Sequence, residues 1–350
     1  MSIVERYILR ELFATIFLFL FCFFSLYILI DYATHARTFH HGSTGFALQE
    51  LAAYYFAELV RRLDILLPFA LMIATIRTLC KMNRANELVA LLAGGVSMGK
   101  ILRPFLFTAL LGTTFLFAVE ELALPGAFET LREKGSVRAA KKYRTESVKN
   151  IALQDGTTLL FQSYDGQTKE FSDVWWIESP QKLWRMQTFS IKDNLGKEIE
   201  EFVRNTDGAL LLASQNPTKI FALQVNENRL WETVSVPEEL SFSNLYSQLG
   251  GKSQNERTAL VTTAFVQKLV FPWMAAFAVI IPIPYCIRFG RRLPQFMIFA
   301  GSLFALEALF LLLDAGVVLA ERQTLSPLLS LCCPIGLAGV ITFLTGYKKL

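Results

Sequence analysis

The sequence predicts a membrane α-helical bundle of six transmembrane helices, interrupted by an inserted all-β domain that is jellyroll-like in its strand pattern. Three observations predict it. Six long apolar stretches are present, they split three and three around a polar segment of strand-like alternation, and the composition is 53% hydrophobic with 30 Phe but only 18% charged. That balance is too apolar for an ordinary soluble chain of 350 residues, yet a bare helix bundle would leave the middle unexplained. The expected division is 1–125 for the first three helices, 126–260 for the β domain and 261–350 for the last three helices.

Leu12 to Ile30 carries no charge, and its length as a helix is about 28 Å, the thickness of a bilayer's hydrocarbon core. No clear small-x-small cleavage site precedes Tyr32-Ala33-Thr34, so this stretch reads as a permanent helix rather than a signal peptide. Leu63 to Leu79 is the second stretch, with Asp64 and Arg77 near its ends. Pro104 to Val119 is closed by Glu120 and Glu121, Leu269 to Ile287 is uncharged, and Leu293 to Leu313 holds one charge, Glu307. The sixth, Leu325 to Tyr347, is uncharged but contains two prolines and three glycines.

Basic residues set the orientation. The N-terminus, the second and fourth connections and the C-terminus share one side and carry Arg6, Arg10, Arg77, Lys81, Arg84, Lys100, Arg103, Arg288, Arg291, Arg292, Lys348 and Lys349. The short connections opposite carry Arg37, Arg61, Arg62 and Arg322. Cytoplasmic loops are enriched in Lys and Arg, so both termini are expected in the cytoplasm and the insert outside. The basic run of Arg132, Lys134, Arg138, Lys141, Lys142 and Arg144 opposes the rule: either a large domain translocates regardless, or these residues meet something anionic.

Within the insert, Asp155-Gly156, Asp165-Gly166, Ser179-Pro180, Asn194-Leu195-Gly196, Asp207-Gly208, Asn216-Pro217 and Val236-Pro237 punctuate short runs that read as strands. In Lys219 to Val225, Phe221, Leu223 and Val225 fall on one face and Ile220, Ala222 and Gln224 on the other. Both faces are partly apolar, as in a two-sheet core or in a sheet that lends one face to a lipid. Phe221, Leu223 and Val225, with Trp175 and Trp176 in a neighbouring run, are therefore candidates for a lipid conduit. The five cysteines lie in spans or at their ends, so no disulfide braces the insert.

No catalytic, cofactor or metal set is expected. Gly94 to Lys100 has the spacing of a phosphate loop, but Ile101 follows where a hydroxyl should ligate magnesium. His35, His40 and His41 share one loop with Asp31 and read as solvated. The net charge of +4 does not point to nucleic acid. Arg61 and Arg62 open the second span, where they could hold anionic headgroups or pair with Asp64 or Glu58.

Between the second and third spans, polar Lys81 to Glu87 leads into Leu88, Val89, Leu91 and Leu92 and stops at Gly94-Gly95. This reads as a short cytoplasmic helix, about residues 83–99, capped by Asn83 or Asn86 and ended by glycine. The segments LDILLPFALMIATIRTL (63–79) and NELVALLAGGVSMGKILRP (86–104), the Glu120-Glu121 and Pro125 that close the third span, and the opening Glu5 to Glu11 resemble the LptF/LptG permease family. Pro237 to Leu245 and the closing Lys348-Lys349 are more similar to LptG than to LptF.

The resemblance implies a non-catalytic permease subunit of an ABC transporter that extracts lipopolysaccharide from the bacterial inner membrane. It implies an LptB-type ATPase dimer, a second LptF/LptG-type permease, and LptC and LptA-type periplasmic proteins as partners, with the β domain periplasmic. It places ATPase docking at Glu87, beside Asn86, Leu88 and Leu91. LptG-type members carry lysines near the outer end of the first span; here that region holds Asp31, His35, Arg37, His40 and His41, so Arg37, Arg61 and Arg62 are the headgroup candidates. A mechanotransmission or signalling protein driven by a separate ATPase is the alternative, and a lipid-modifying enzyme, which would need a reactive set, comes third.

Overall fold

The computed structural model describes residues 3–40, 48–134, 149–153, 157–165, 170–179, 181–204, 210–221, 237, 240–249 and 255–345. It divides into two compact units, Met1–Phe128 with Leu240–Leu350, and Glu129–Glu239.

The first unit is helical: α1 (Ile3–His40), α2 (Leu48–Arg84), α3 (Glu87–Ala93), α4 (Met98–Ala118), the start of α5 (Leu124–Lys134), whose residues after Phe128 fall in the second unit, α6 (Phe242–Leu249), α7 (Asn255–Val270), α8 (Met274–Ile280), α9 (Pro282–Phe289), α10 (Gln295–Glu321) and α11 (Pro327–Thr345). Five helical stretches are long and apolar enough to cross a membrane: Ile3–Thr34, Leu51–Arg84, Met98–Phe128, Thr258–Phe289 and Gln295–Glu321. The sixth apolar segment is the 19-residue α11, the shortest of the set. The chain is a helical membrane bundle with an inserted β domain.

α2 forms the centre of the bundle. In its most apolar window 72% of residues are buried, against 6% for α1. Leu67, Leu71, Met72, Ile76 and Leu79 of α2 share one core with Ile8 and Leu12 of α1, Phe105 of α4, Met274 of α8 and Leu306 and Leu313 of α10. α1 instead turns Phe17, Phe21, Leu26 and Leu29 outward. Exposed to water, large apolar side chains would each cost about 1.5–3 kcal/mol, a penalty that vanishes against lipid or a second apolar chain.

The long helices run past the apolar stretches read from the sequence, and two of them take in buried charge as they do so. The second begins at Leu51 rather than Leu63, because Glu58, Arg61 and Arg62 neutralise one another and the helix continues through them. The fourth begins at Thr258 rather than Leu269 and takes in Lys268, which is buried. It is also not one continuous helix. Pro272, Pro282 and Pro284 each lack an N–H donor, and a 3₁₀ turn over Phe271–Trp273 separates α7 from α8. After α4 the chain widens into a π-helical turn, Val119–Ala123, which carries Glu120 and Glu121.

The second unit is one antiparallel sheet whose strands pair in chain order: β1 (Lys149–Ala152), β2 (Thr158–Asp165), β3 (Glu170–Ser179), β4 (Lys182–Ser190), β5 (Leu195–Arg204) and β6 (Leu210–Ile220). Among the described residues it is a single meander rather than two facing sheets. One face is laddered by apolar pairs, Leu159 opposite Trp176, Phe161 opposite Val174, Val174 opposite Met186 and Met186 opposite Ile199. These pairs bury the core of the unit.

The alternation resets along one line across the sheet. Phe171 and Val174 both face the core, and between them Asp173 takes a left-handed φ of 50°, as Glu198 does on β5 at 49°. Pro217 of β6 lies opposite Glu198 on the same line, where no pair forms. Asn216-Pro217, expected as a turn, is therefore inside a strand. β6 is the last strand in the sheet order, and an edge strand accommodates a residue with no N–H.

Candidate functional site

α3 has only seven residues, so the expected helix over 83–99 resolves into α3, a turn at Gly94–Ser97 and the start of α4 at Met98. Its C-terminus is stopped as expected. Gly95 adopts φ 81°, its N–H bonds the carbonyl of Leu92, and the N–H of Val96 bonds the carbonyl of Leu91, the paired bonds of a Schellman stop. Leu91 and Val96 both pack against the bundle core, the apolar contact that accompanies this stop.

The N-terminus is not capped as expected. Asn86 occupies the cap position in a left-handed conformation, φ 60°, and its side chain makes no capping bond. Asn83 is engaged elsewhere. Its amide Nδ2 donates to the carbonyls of Cys286 at 2.9 Å and Ile287 at 3.1 Å, at the end of α9. Its amide is spent on these tertiary bonds rather than on a local cap.

α3 therefore has two faces. Leu88 is buried and Leu91 packs on the core, so both anchor the helix; Val89 and Leu92 are exposed, Asn86 is exposed and Glu87 is half-buried in the first turn. Beside this segment, Lys81 of α2 and Glu11 of α1 form an ion pair at 2.7 Å.

Arg61 and Arg62 converge on one carboxylate. Arg61 Nε donates to Glu58 at 3.0 Å and Arg62 Nε at 2.9 Å, and Tyr27 of α1 donates its hydroxyl to the same group at 2.9 Å. The Arg62 guanidinium also lies 4.4 Å from the centre of the Tyr27 ring. Glu58 is 3% exposed, whereas the arginine side chains remain 37% and 43% exposed. Of the two expected partners, Glu58 is the one engaged. The Arg37 side chain, and those of His35 and His40, lie outside the described residues, as does His41 entirely. Next to this cluster an apolar groove of about 500 Å³ runs between α1 and α2, lined by Phe24, Ile28, Tyr32, Leu51, Tyr55, Phe56 and Leu59.

In the β unit, Phe221 follows the end of β6 and its N–H bonds the carbonyl of Asn194. The strand expected through Val225 thus ends at Ile220, and Leu223 and Val225 lie outside the described residues. Phe221 is buried edge-on between Trp176 and Trp184, with ring centres 5.6 and 5.4 Å away, while Ile220 points outward. Trp175 faces the opposite side and stacks on Phe202. The paired tryptophans do not line one channel.

At the edge of that sheet Glu201 accepts from Ser214 at 2.7 Å and pairs with Lys182 at 3.0 Å. The Ser214 hydroxyl first, then Lys182, holds the Glu201 carboxyl below its ordinary range.

One further cluster is invisible in the order of residues alone. Lys268 of α7 is buried within electrostatic reach of Asp64 of α2 and Glu120 of the π turn. Counting uncharged runs leaves a lysine outside the span, and only the packing of three helices brings two carboxylates to it.

Among the described residues no group of three or more His, Cys, Asp or Glu could hold a metal ion. A comparison with curated proteins gives no match. A family model, lipopolysaccharide export system permease LptF/LptG, matches residues 6–348. With essentially its whole length matched, its apolar helices and its inserted β unit, the chain belongs to the LptF/LptG family of lipopolysaccharide export permeases.

Proposed function

We propose that this chain is a permease subunit of an ABC transporter that extracts lipopolysaccharide from the inner membrane and passes it to a periplasmic bridge. Both termini and α3 face the cytoplasm, and the β unit is periplasmic. ATP is hydrolysed by a separate LptB-type dimer, which grips α3 at Glu87. A second LptF/LptG-type permease completes the membrane cavity, and LptC and LptA-type proteins receive the lipid.

The observation that carries this reading is the two-faced α3: its buried Leu88 and half-buried Leu91 fasten it to the bundle while Glu87, Val89 and Leu92 remain available to a partner. A rigid helix that joins two spans and is fastened to their core transmits a push into them. The outward apolar face of α1 supports a second apolar chain or lipid beside it. Arg61 and Arg62, each still partly exposed, are the described candidates for anionic headgroups, with Arg37 the third. Phe221, Leu223 and Val225 are the proposed conduit in the β unit; Phe221 would touch lipid only if the core around Trp176 and Trp184 opened.

Co-expression with an LptB-type ATPase and a sister permease, reconstitution in liposomes containing lipopolysaccharide, and addition of an LptC/LptA-type acceptor test the reading. ATP-dependent transfer of lipid to the acceptor is expected. An assembled complex that hydrolyses ATP and transfers none would overturn it.

A further inference from the structure

A long-range polar contact joins the C-terminal ends of α2 and α9. Asn83 sits in the last turn of α2, four residues before α3 begins, and is 4% exposed. Its amide bonds the carbonyls of Cys286 and Ile287 in α9, across 203 and 204 residues of sequence. The contact is reciprocal, because Arg291 donates through Nε to the backbone carbonyl of Asn83 at 3.1 Å. The carbonyls of Cys286 and Asn83 accept these bonds in addition to those from the backbone N–H groups of Gly290 and Asn86, so each lies between a local and a long-range donor.

Gly290 makes the approach possible. A Cβ there would lie 2.3 Å from the Cys286 carbonyl oxygen and 2.8 Å from Asn83 Nδ2, so a side chain would push the amide away. Cys80 of α2 and Cys286 of α9 are both fully buried in the same core, so α2 and α9 touch along their ends and not at one point. The first three spans and the last three are thus pinned together beside the root of α3.

We propose that Asn83 is a positioning residue that couples α3 to the second half of the bundle, so that a displacement of α3 moves α9, and the span it ends, together with α2. Without this clamp a push on α3 would reach α9 chiefly through apolar contacts, which can slide. Two hydrogen bonds from one amide, one bond returned by Arg291 and a glycine that admits the contact fix both distance and direction. The inference rests on reading α3 as the ATPase contact.

The test uses the complete complex with its ATPase and sister permease, spin-labelled at Ala93 of α3 and Leu293 beyond α9, both exposed, after the exposed Cys22, Cys332 and Cys333 are changed to serine. The separation of the labels is measured without nucleotide and in the vanadate-trapped state. It should be the same in both states in the parent, and should change between them in Asn83→Leu. Lipid transferred per ATP hydrolysed should fall about fivefold in Asn83→Leu, the scale of one or two lost hydrogen bonds, and recover in Asn83→Gln, which keeps the amide. A parent separation that changes on trapping overturns the clamp, whatever the variants do. So does an Asn83→Leu complex with unchanged transfer per ATP, or one that no longer assembles, which would make the contact merely structural. The underlying reading fails separately, if Glu87→Arg leaves ATPase binding intact.

Discussion

Tyr27 of α1 donates its hydroxyl to Glu58 of α2 at 2.9 Å, and the same carboxylate holds Arg61 and Arg62, so one buried acid fastens the otherwise lightly packed first span to the second. Removing the acid leaves two guanidinium groups without their partner. Glu58→Ala should destabilise the helical unit by about 2 kcal/mol, discounted for the water that reaches the arginines, and Tyr27→Phe by about 1 kcal/mol. Apparent melting temperatures of the purified chain in detergent check this: both should fall, Glu58→Ala further. Equal stability of Glu58→Ala and the parent would show that the cluster holds nothing.

The same cluster decides whether Arg61 and Arg62 also meet lipid. Photo-crosslinkers at these positions should capture lipopolysaccharide more than one at Phe17, an outward residue of α1. Labelling no greater than at Phe17 would confine the arginines to their pairing with Glu58.

Phe221 is a core residue of the β unit as its rings are packed. Phe221→Ala should cost about 3–5 kcal/mol, the usual loss for a large buried aromatic ring, and should lower the denaturant midpoint read by the fluorescence of Trp176 and Trp184. An unshifted midpoint would free Phe221 for the conduit role.

Glu201 gives the β5–β6 edge a dependence on pH. Its folded carboxyl is held below the ordinary value, first by Ser214 and then by Lys182, so the stabilisation is present above the unfolded value and is lost as pH falls through the lower folded one. Protection factors for β6 amides should be steady at neutral pH and drop in acid below the ordinary carboxylate range. Glu201→Gln should weaken them already at neutral pH and flatten the acid response. Protection that falls equally in both proteins would remove Glu201 as the cause.

Much of this fold is legible in the sequence because lipid excludes charge: uncharged runs mark the interiors of the spans, and Gly94-Gly95 marks the stop of α3. What was not legible required tertiary contacts. Lys268 lies buried in its span with Asp64 and Glu120 of two other helices within electrostatic reach, and a rule that ends a span at the first charge cannot see them. Asn83 carried the composition of a cap, and bonded instead to carbonyls 203 and 204 residues away. Asn216-Pro217 has the residues of a turn, but an edge strand tolerates them. At the candidate site, the identity and spacing of Glu87, Leu88 and Leu91 were readable; which of them anchors and which faces outward came from packing.

On the proposed function, ATPase work enters through α3. The most direct measurement is ATP-driven transfer of lipopolysaccharide by the reconstituted complex carrying Glu87→Arg, with ATPase co-purification followed in parallel. Reversing the charge in the first turn should place repulsion at the docking surface and cut assembly or transfer at least about tenfold, the scale of a lost charge-assisted contact. A Glu87→Arg complex that retains its ATPase and transfers lipid at the parent rate would contradict the account.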